Sequence, residues 1–449
     1  MATAVINELG PLSPVTGAGL LVPLVQGGKS RYVNLDYAAS APALQAVTDQ
    51  VSALLPLYAS VHRGAGYASQ VCTGAYEAAR MLVGEFAGSR GEDVVIFTGN
   101  TTDAVNLLAS AVPGDVVHLD IEHHANLLPW QRSCSARVVL AQPTVAATLE
   151  AVDAELARSP AALLAITGAS NVTGEVLPLS EFAAVAHARG TRIAVDGAQL
   201  VPHRRVSLRD TGIDYLAFSG HKMYAPFGAG VLIGRRDWLD AAPPYLAGGG
   251  AVREVALSGT TWAAAPARHE AGTPNVIGAV TLAAACRYLR SLPGDAVAAH
   301  ESALLGSLVS GLTGTGARVL RLWTDADDHV PVVTFCVDGY PAALVASYLS
   351  AEHGIGVRDG RFCAHPLLSR FGLGRDSGGA VRASLGLGSC SDDVSRLVAA
   401  VSRLRADGPS WTYDDAGRPA PDPRPLPEWA GAGPRDTADG TATGESACR

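Results

Sequence analysis

Lysine is almost missing from this chain. Of its 34 basic residues only Lys29 and Lys222 are lysines, and all the others are arginines. Arginine replaces lysine well as a surface charge, but its guanidinium stays protonated and cannot serve as an amine nucleophile. Lys222, kept inside an otherwise apolar stretch, is therefore a candidate for chemistry. Charge is also scarce: charged residues make up 17% and the net charge is −8. An acidic surface repels phosphate backbones, so nucleic acid is excluded as the expected partner. No uncharged apolar run is long enough to cross a bilayer, and the first residues lack the basic segment of a secretory signal. No membrane association and a cytoplasmic location are expected. The seven cysteines include no Cys-x-x-Cys pair. They read as reduced thiols, with neither a disulfide framework nor a metal cage.

What is present points to a packed enzyme. With 449 residues, 48% of them hydrophobic, the chain is too long for one core and too apolar for disorder. Residues 1–30 carry scattered Pro and Gly and read as an N-terminal arm. From residue 94 onward short β-branched runs alternate with helical spacing. Leu163–Thr167, Arg192–Asp196 and Tyr215–Gly220 are continuous apolar runs, as expected of strands covered on both faces. The fold class is α/β, with a mostly parallel seven-stranded sheet in a large domain over 31–295. An N-terminal segment of that domain contributes to a smaller C-terminal α+β domain over 296–407. The Pro- and Gly-rich tail 408–449 is expected to be disordered.

Four segments at strand ends carry chemistry. Lys222 lies just beyond the strand Tyr215–Gly220, in a small-residue loop. Ligands in open α/β sheets bind at carboxyl ends of strands, where a desolvated amine becomes an imine former. Asp196 ends its own strand and can hold a pyridine nitrogen protonated. Thr101 and Thr102 open a helix after the strand Val94–Phe97, where backbone N–H groups suit a phosphate. His123, in Glu122-His-His-Ala-Asn126, can stack on a flat ring and move protons; adjacent histidines point apart, against a zinc pair. An imine lysine, a pyridinium carboxylate, a phosphate cradle and a stacking ring together match the needs of pyridoxal phosphate.

These residues, with Ser219-Gly-His-Lys222, Val195-Asp-Gly-Ala-Gln199 and Ala271-Gly-Thr-Pro-Asn275, resemble class V, fold-type I pyridoxal-phosphate enzymes. The nearest likeness is to group II (SUF-type) cysteine desulfurases and selenocysteine lyases, from about Leu35 to Arg405. The resemblance implies that Lys222 binds pyridoxal 5'-phosphate as an imine, Asp196 pairs with the ring nitrogen and His123 stacks on the ring. Gln199 would meet the ring hydroxyl; Thr102, Ser219 and His221 would hold the phosphate, with Thr101 beside them. Thr273 would reach the partner subunit's phosphate, which implies a homodimer. Asn171 and Arg382 match positions that bind the substrate carboxylate, and His62 and Arg358 lie on the substrate side. His62-Arg-Gly64 and Gly248–Pro266 look like the group II active-site edge and its inserted hairpin.

Cys363, in Gly360-Arg-Phe-Cys-Ala-His365, separates the possible reactions. In the desulfurases the matching thiolate takes sulfur from L-cysteine as a persulfide and passes it to an acceptor protein. Here Arg361-Phe362 stands where those enzymes usually have histidines. A class V aminotransferase, C–S lyase, epimerase or decarboxylase would share every cofactor residue and dispense with the thiol. Two other motifs are set aside. Gly27-Gly-Lys-Ser30 has Pro23 where a P-loop needs its first glycine. Ser219-x-x-Lys222 lacks the Lys-Thr-Gly partner of a serine acylase.

Overall fold

The computed structural model describes residues 9–430. The expected seven-stranded sheet forms. In spatial order its strands are Asp93–Thr98, Gly230–Arg235, Tyr215–Ser219, Arg192–Asp196, Leu163–Thr167, Val116–Leu119 and Ala136–Val139. All run parallel except Gly230–Arg235, which is antiparallel to both its neighbours. The carboxyl ends of the other six therefore share one edge.

The continuous apolar runs are explained by double coverage. Leu164, Ile166, Ile193 and Val195 point to one face and pack with Phe182 and Val152 of helices Leu179–Ala188 and Val145–Arg158. Leu163, Ala165 and Ala194 point to the other and pack with Leu107 and Trp130. Each fully buried leucine or isoleucine stabilises by roughly 1.5–3 kcal/mol, so both faces resist opening. Helix starts follow side-chain capping: Asn100 accepts from the Asp103 N–H, Thr144 from Ala147 and Asn275 from Gly278.

A second, four-stranded antiparallel sheet orders Arg318–Val319, Val332–Cys336, Ala380–Ser384 and Arg358–Gly360. Its core joins Phe335, Val381 and Leu349 to Leu308 of helix Gly294–Gly314 and Leu397 of helix Ser391–Asp407. Val33 and Leu35, far away in sequence, belong to the same core, and Val33–Asn34 pairs with Ile355–Gly356. The N-terminal arm contains a short hairpin, Leu21–Pro23 with Lys29–Arg31.

Several elements differ from the sequence reading, the helix Gln45–Leu54 among them. The helix Tyr67–Phe86, twenty residues long, has no counterpart in it. Its buried side, Ser69, Cys72, Tyr76, Ala79, Val83 and Gly84, recurs at helical spacing, so its apolar stripe is present in the sequence. Residues 408–430, expected to be disordered, are tied to the helix Ala342–His353. The buried Glu352 carboxylate accepts from the Ser410 and Trp411 N–H groups and from the hydroxyls of Ser410 and Tyr413. Charged-acceptor bonds of this number offset the low hydrophobicity that made the tail read as unstructured. The rest of the tail, 431–449, lies outside the described residues.

Candidate active site

The strand ends enclose a cavity of about 560 Å³. Thr101, Thr102, His123, Asn171, Asp196, Gln199, Ser219, His221, Lys222, Arg358, Cys363 and Arg382 all line it. Its volume falls within the range of small-molecule and cofactor sites.

One end is made for an anion. The helix Thr101–Ala109 opens there, and Ser219 Oγ accepts from the Thr101 N–H at 2.7 Å and lies 2.6 Å from Thr101 Oγ1. Gly230 lets the antiparallel strand press against this turn: a Cβ at Gly230 would lie 2.4 Å from Asn100 Cα. The close approach draws Asn100–Thr102 and Ser219 into one cradle. His221 is held mostly neutral, its pKa lowered to about 4 by burial and then by Lys222.

Asp196 forms the buried floor. Its Oδ1 accepts from the Ala198 N–H at 2.9 Å. Burial pushes its pKa up, against that bond and the Lys222 charge, so a cationic partner is what would stabilise its ionised form. Lys222 follows the strand Tyr215–Ser219 in a single helical turn, Gly220–Lys222. Burial, followed by the Arg382 charge, lowers the Lys222 amine to about 8, although Asp196 and Cys363 pull it upward. His123 is lowered to about 3, first by burial and then by Lys222, and is neutral. Its Nδ1 accepts from the Ala125 N–H at 3.0 Å, so Nε2 carries the hydrogen. Gln199 donates Nε2 to the Ala38 carbonyl, leaving its amide oxygen to serve the cavity.

Opposite stands a wall built from the four-stranded sheet and the turn after its strand Arg358–Gly360. Arg382 is 4% exposed; it donates Nη1 to the Asn171 carbonyl and Nη2 to Asp36 Oδ1, at 2.9 and 3.4 Å. Its Nε is buried without a hydrogen-bond partner. Arg358 is the register partner of Arg382 across the strand pair, so the charge of one acts on the other. Phe362 and Cys363 adopt left-handed φ of 50° and 53°. Asn171 Nδ2 donates to the Phe362 carbonyl and the His124 N–H to the Cys363 carbonyl, both at 2.8 Å. Those bonds hold a turn that L-residues seldom adopt, with the half-buried Cys363 on the cavity side.

Two residues expected at the site lie away from this cavity. His62 is exposed and pairs with Glu77 at 2.9 Å, and Thr273 is exposed on its loop. Within one chain neither reaches the lysine. Asn171 also does more than expected, since its amide fixes the cysteine turn. Sequence reading missed Asp36, which partners Arg382, and Glu122, fully buried beneath His123. Glu122 accepts from Asn126 Nδ2 and the Thr167 N–H, and burial raises its pKa. Glu122 lies outside any helix, just before the turn His124–Asn126, so helical spacing does not announce that pairing. Nothing in the sequence marks Asp36 among the other aspartates.

The donor set fits pyridoxal phosphate: hydroxyls and N–H groups for a phosphate, a buried carboxylate for a ring nitrogen and a depressed amine for an aldehyde. Among the described residues no group of three metal ligands exists, and no helix is long and apolar enough to cross a membrane.

Comparison with known proteins agrees. The family model of class-V aminotransferases matches residues 33–397. A cysteine desulfurase of Dickeya dadantii is 40% identical over 385 residues, 82% of this chain and 91% of that protein. A probable cysteine desulfurase of Pseudomonas aeruginosa is 39% identical over 380 residues, 82% and 92% of the two chains. The apo structure of a cysteine desulfurase from Thermococcus onnurineus superposes with a TM-score of 0.77 at 30% identity, covering 83% of this chain and 94% of that one. A cysteine desulfurase of Escherichia coli, solved as its S-sulfonic acid, gives 0.72 at 32% identity, with coverages of 84% and 95%. A lysine-bearing cavity at the edge of a fold-type I sheet, matched along most of the sequence, makes the conclusion direct: the chain is an enzyme and belongs to the aminotransferase class-V family.

Proposed function

We propose that the protein is a cysteine desulfurase that binds pyridoxal phosphate through Lys222 and converts L-cysteine to L-alanine, leaving a persulfide on Cys363. The observation that carries this reading is that Lys222 and Cys363, from opposite domains, line one cavity between the anion cradle and Arg382. When bound, pyridoxal phosphate supplies an electron sink that acidifies the substrate's α-proton. The residues of the chain do the rest. The Arg382 guanidinium, which lines the cavity, takes the substrate carboxylate, and the Asn171 carbonyl holds it through Nη1. The Lys222 amine, near neutrality by burial, removes the α-proton. Cys363 attacks the substrate sulfur as thiolate: a sulfur–sulfur bond forms and the carbon–sulfur bond breaks. The electron pair of that bond passes to the carbon side, which takes up a proton at Cβ, recovers the α-proton from Lys222 and leaves as alanine. The sulfur stays on Cys363 for a thiol acceptor, which we propose is a protein.

The test is alanine formation from L-cysteine, with and without added thiol. Cys363→Ala is expected to lower turnover by about two orders of magnitude or more while keeping the cofactor's visible band. Lys222→Ala is expected to lose both. Undiminished turnover in Cys363→Ala rejects the persulfide route and leaves a class V lyase or aminotransferase using the same lysine.

A further inference from the structure

Beside the Cys363 turn, outside the cavity lining, two histidines meet that the mechanism above does not use. His124 opens the single turn His124–Asn126, and His365 opens the helix His365–Arg370 two residues after Cys363. Their ring centroids are 4.4 Å apart with the planes at 82°, an edge-to-face pair. His365 Nε2 is buried with no hydrogen-bond partner. Hydrogen bonding from that nitrogen therefore does not hold the ring, which meets His124 edge-to-face. The backbone of His124 in turn donates to the Cys363 carbonyl. The pair thus staples both sides of a turn whose φ values of 50° and 53° are unfavourable without support. Burial, the neighbouring ring and Arg361 all oppose a charge on His124, so the stack is one of neutral rings.

We propose that His365 is a positioning residue for Cys363: packed edge-to-face on His124, it keeps the Phe362–Cys363 turn seated so that the thiol faces the cavity. This rests on the assignment of Cys363 as the sulfur acceptor, and the test separates the two. In the holoenzyme, alkylation of Cys363 by iodoacetamide is followed by mass spectrometry of its peptide, alongside kcat and KM for L-cysteine. His365→Ala is expected to speed alkylation several-fold, because the turn loosens, and to lower kcat by about ten- to a hundredfold, with KM and the cofactor band kept. His365→Phe, which keeps a ring for His124 to meet, is expected to restore both to near the wild-type values. Unchanged alkylation in His365→Ala overturns the proposal whatever happens to turnover, as does a His365→Phe variant no better than alanine. If His365→Ala fails to fold, a His365→Phe variant with alkylation or kcat shifted as far as expected for alanine overturns it equally. Alkylation reports on the turn even if Cys363→Ala shows that the thiol takes no sulfur, so failure of the desulfurase reading is seen separately.

Discussion

A single amine is the point on which this molecule's chemistry turns, and its environment has a measurable signature. Lys222 is lowered to about 8 by burial, against an ordinary 10.5. The sign follows from the charged form being the disfavoured one in the folded protein. The neutral amine dominates above about pH 8 and is lost as pH falls through that value. The rate at which cofactor-free protein regains its visible band from added pyridoxal phosphate is therefore expected to rise with pH and inflect near 8, as read by stopped-flow absorbance. An inflection near 10 would show the amine to be solvated. Lys222, Asp196, His123 and the threonine pair were legible in the sequence because their residue types sit at strand ends, where few chemistries need them together. The Phe362–Cys363 turn was not. Positive φ at two non-glycine residues is imposed by Asn171 and His124 from other elements, and no local pattern announces it.

At the scale of elements, strands buried on both faces were read nearly residue for residue, since continuous apolar runs have one explanation. The helix Tyr67–Phe86 escaped although its buried positions, Tyr76, Ala79 and Val83 among them, recur at helical spacing. The segment 408–430 escaped because its attachment is polar and long-range, through one carboxylate. That makes a prediction. Glu352→Ala leaves the donors of Ser410, Trp411 and Tyr413 without their acceptor. Loss of about 1–3 kcal/mol is expected in urea unfolding, with faster proteolytic cleavage within 408–430. A stability unchanged by the substitution would mean that the segment rides on the surface without contributing.

For the whole molecule, His62 and Thr273 are the residues that a single chain leaves without a role in its own cavity. Both are exposed, as are Tyr67, Met81, Leu246 and Leu257. We propose that a two-fold dimer brings Thr273 to the neighbouring cradle. Light scattering is expected to give about twice the chain mass of 46.1 kDa. Thr273→Ala is expected to weaken cofactor retention on dialysis without dissociating the pair. A monomer that holds its cofactor fully would remove the need for the second copy.

The lysine loop leaves the sheet at Ser219 and rejoins it at Gly230, its direct register partner. Both ends of that excursion are thus anchored in the same antiparallel ladder, whereas the cysteine sits on a turn that follows a strand of the second sheet. Cofactor handling and the choice of product are in this way written on separate pieces of chain. A lineage could redraw the turn, keep the ladder, and arrive at a new reaction without relearning how to hold the ring.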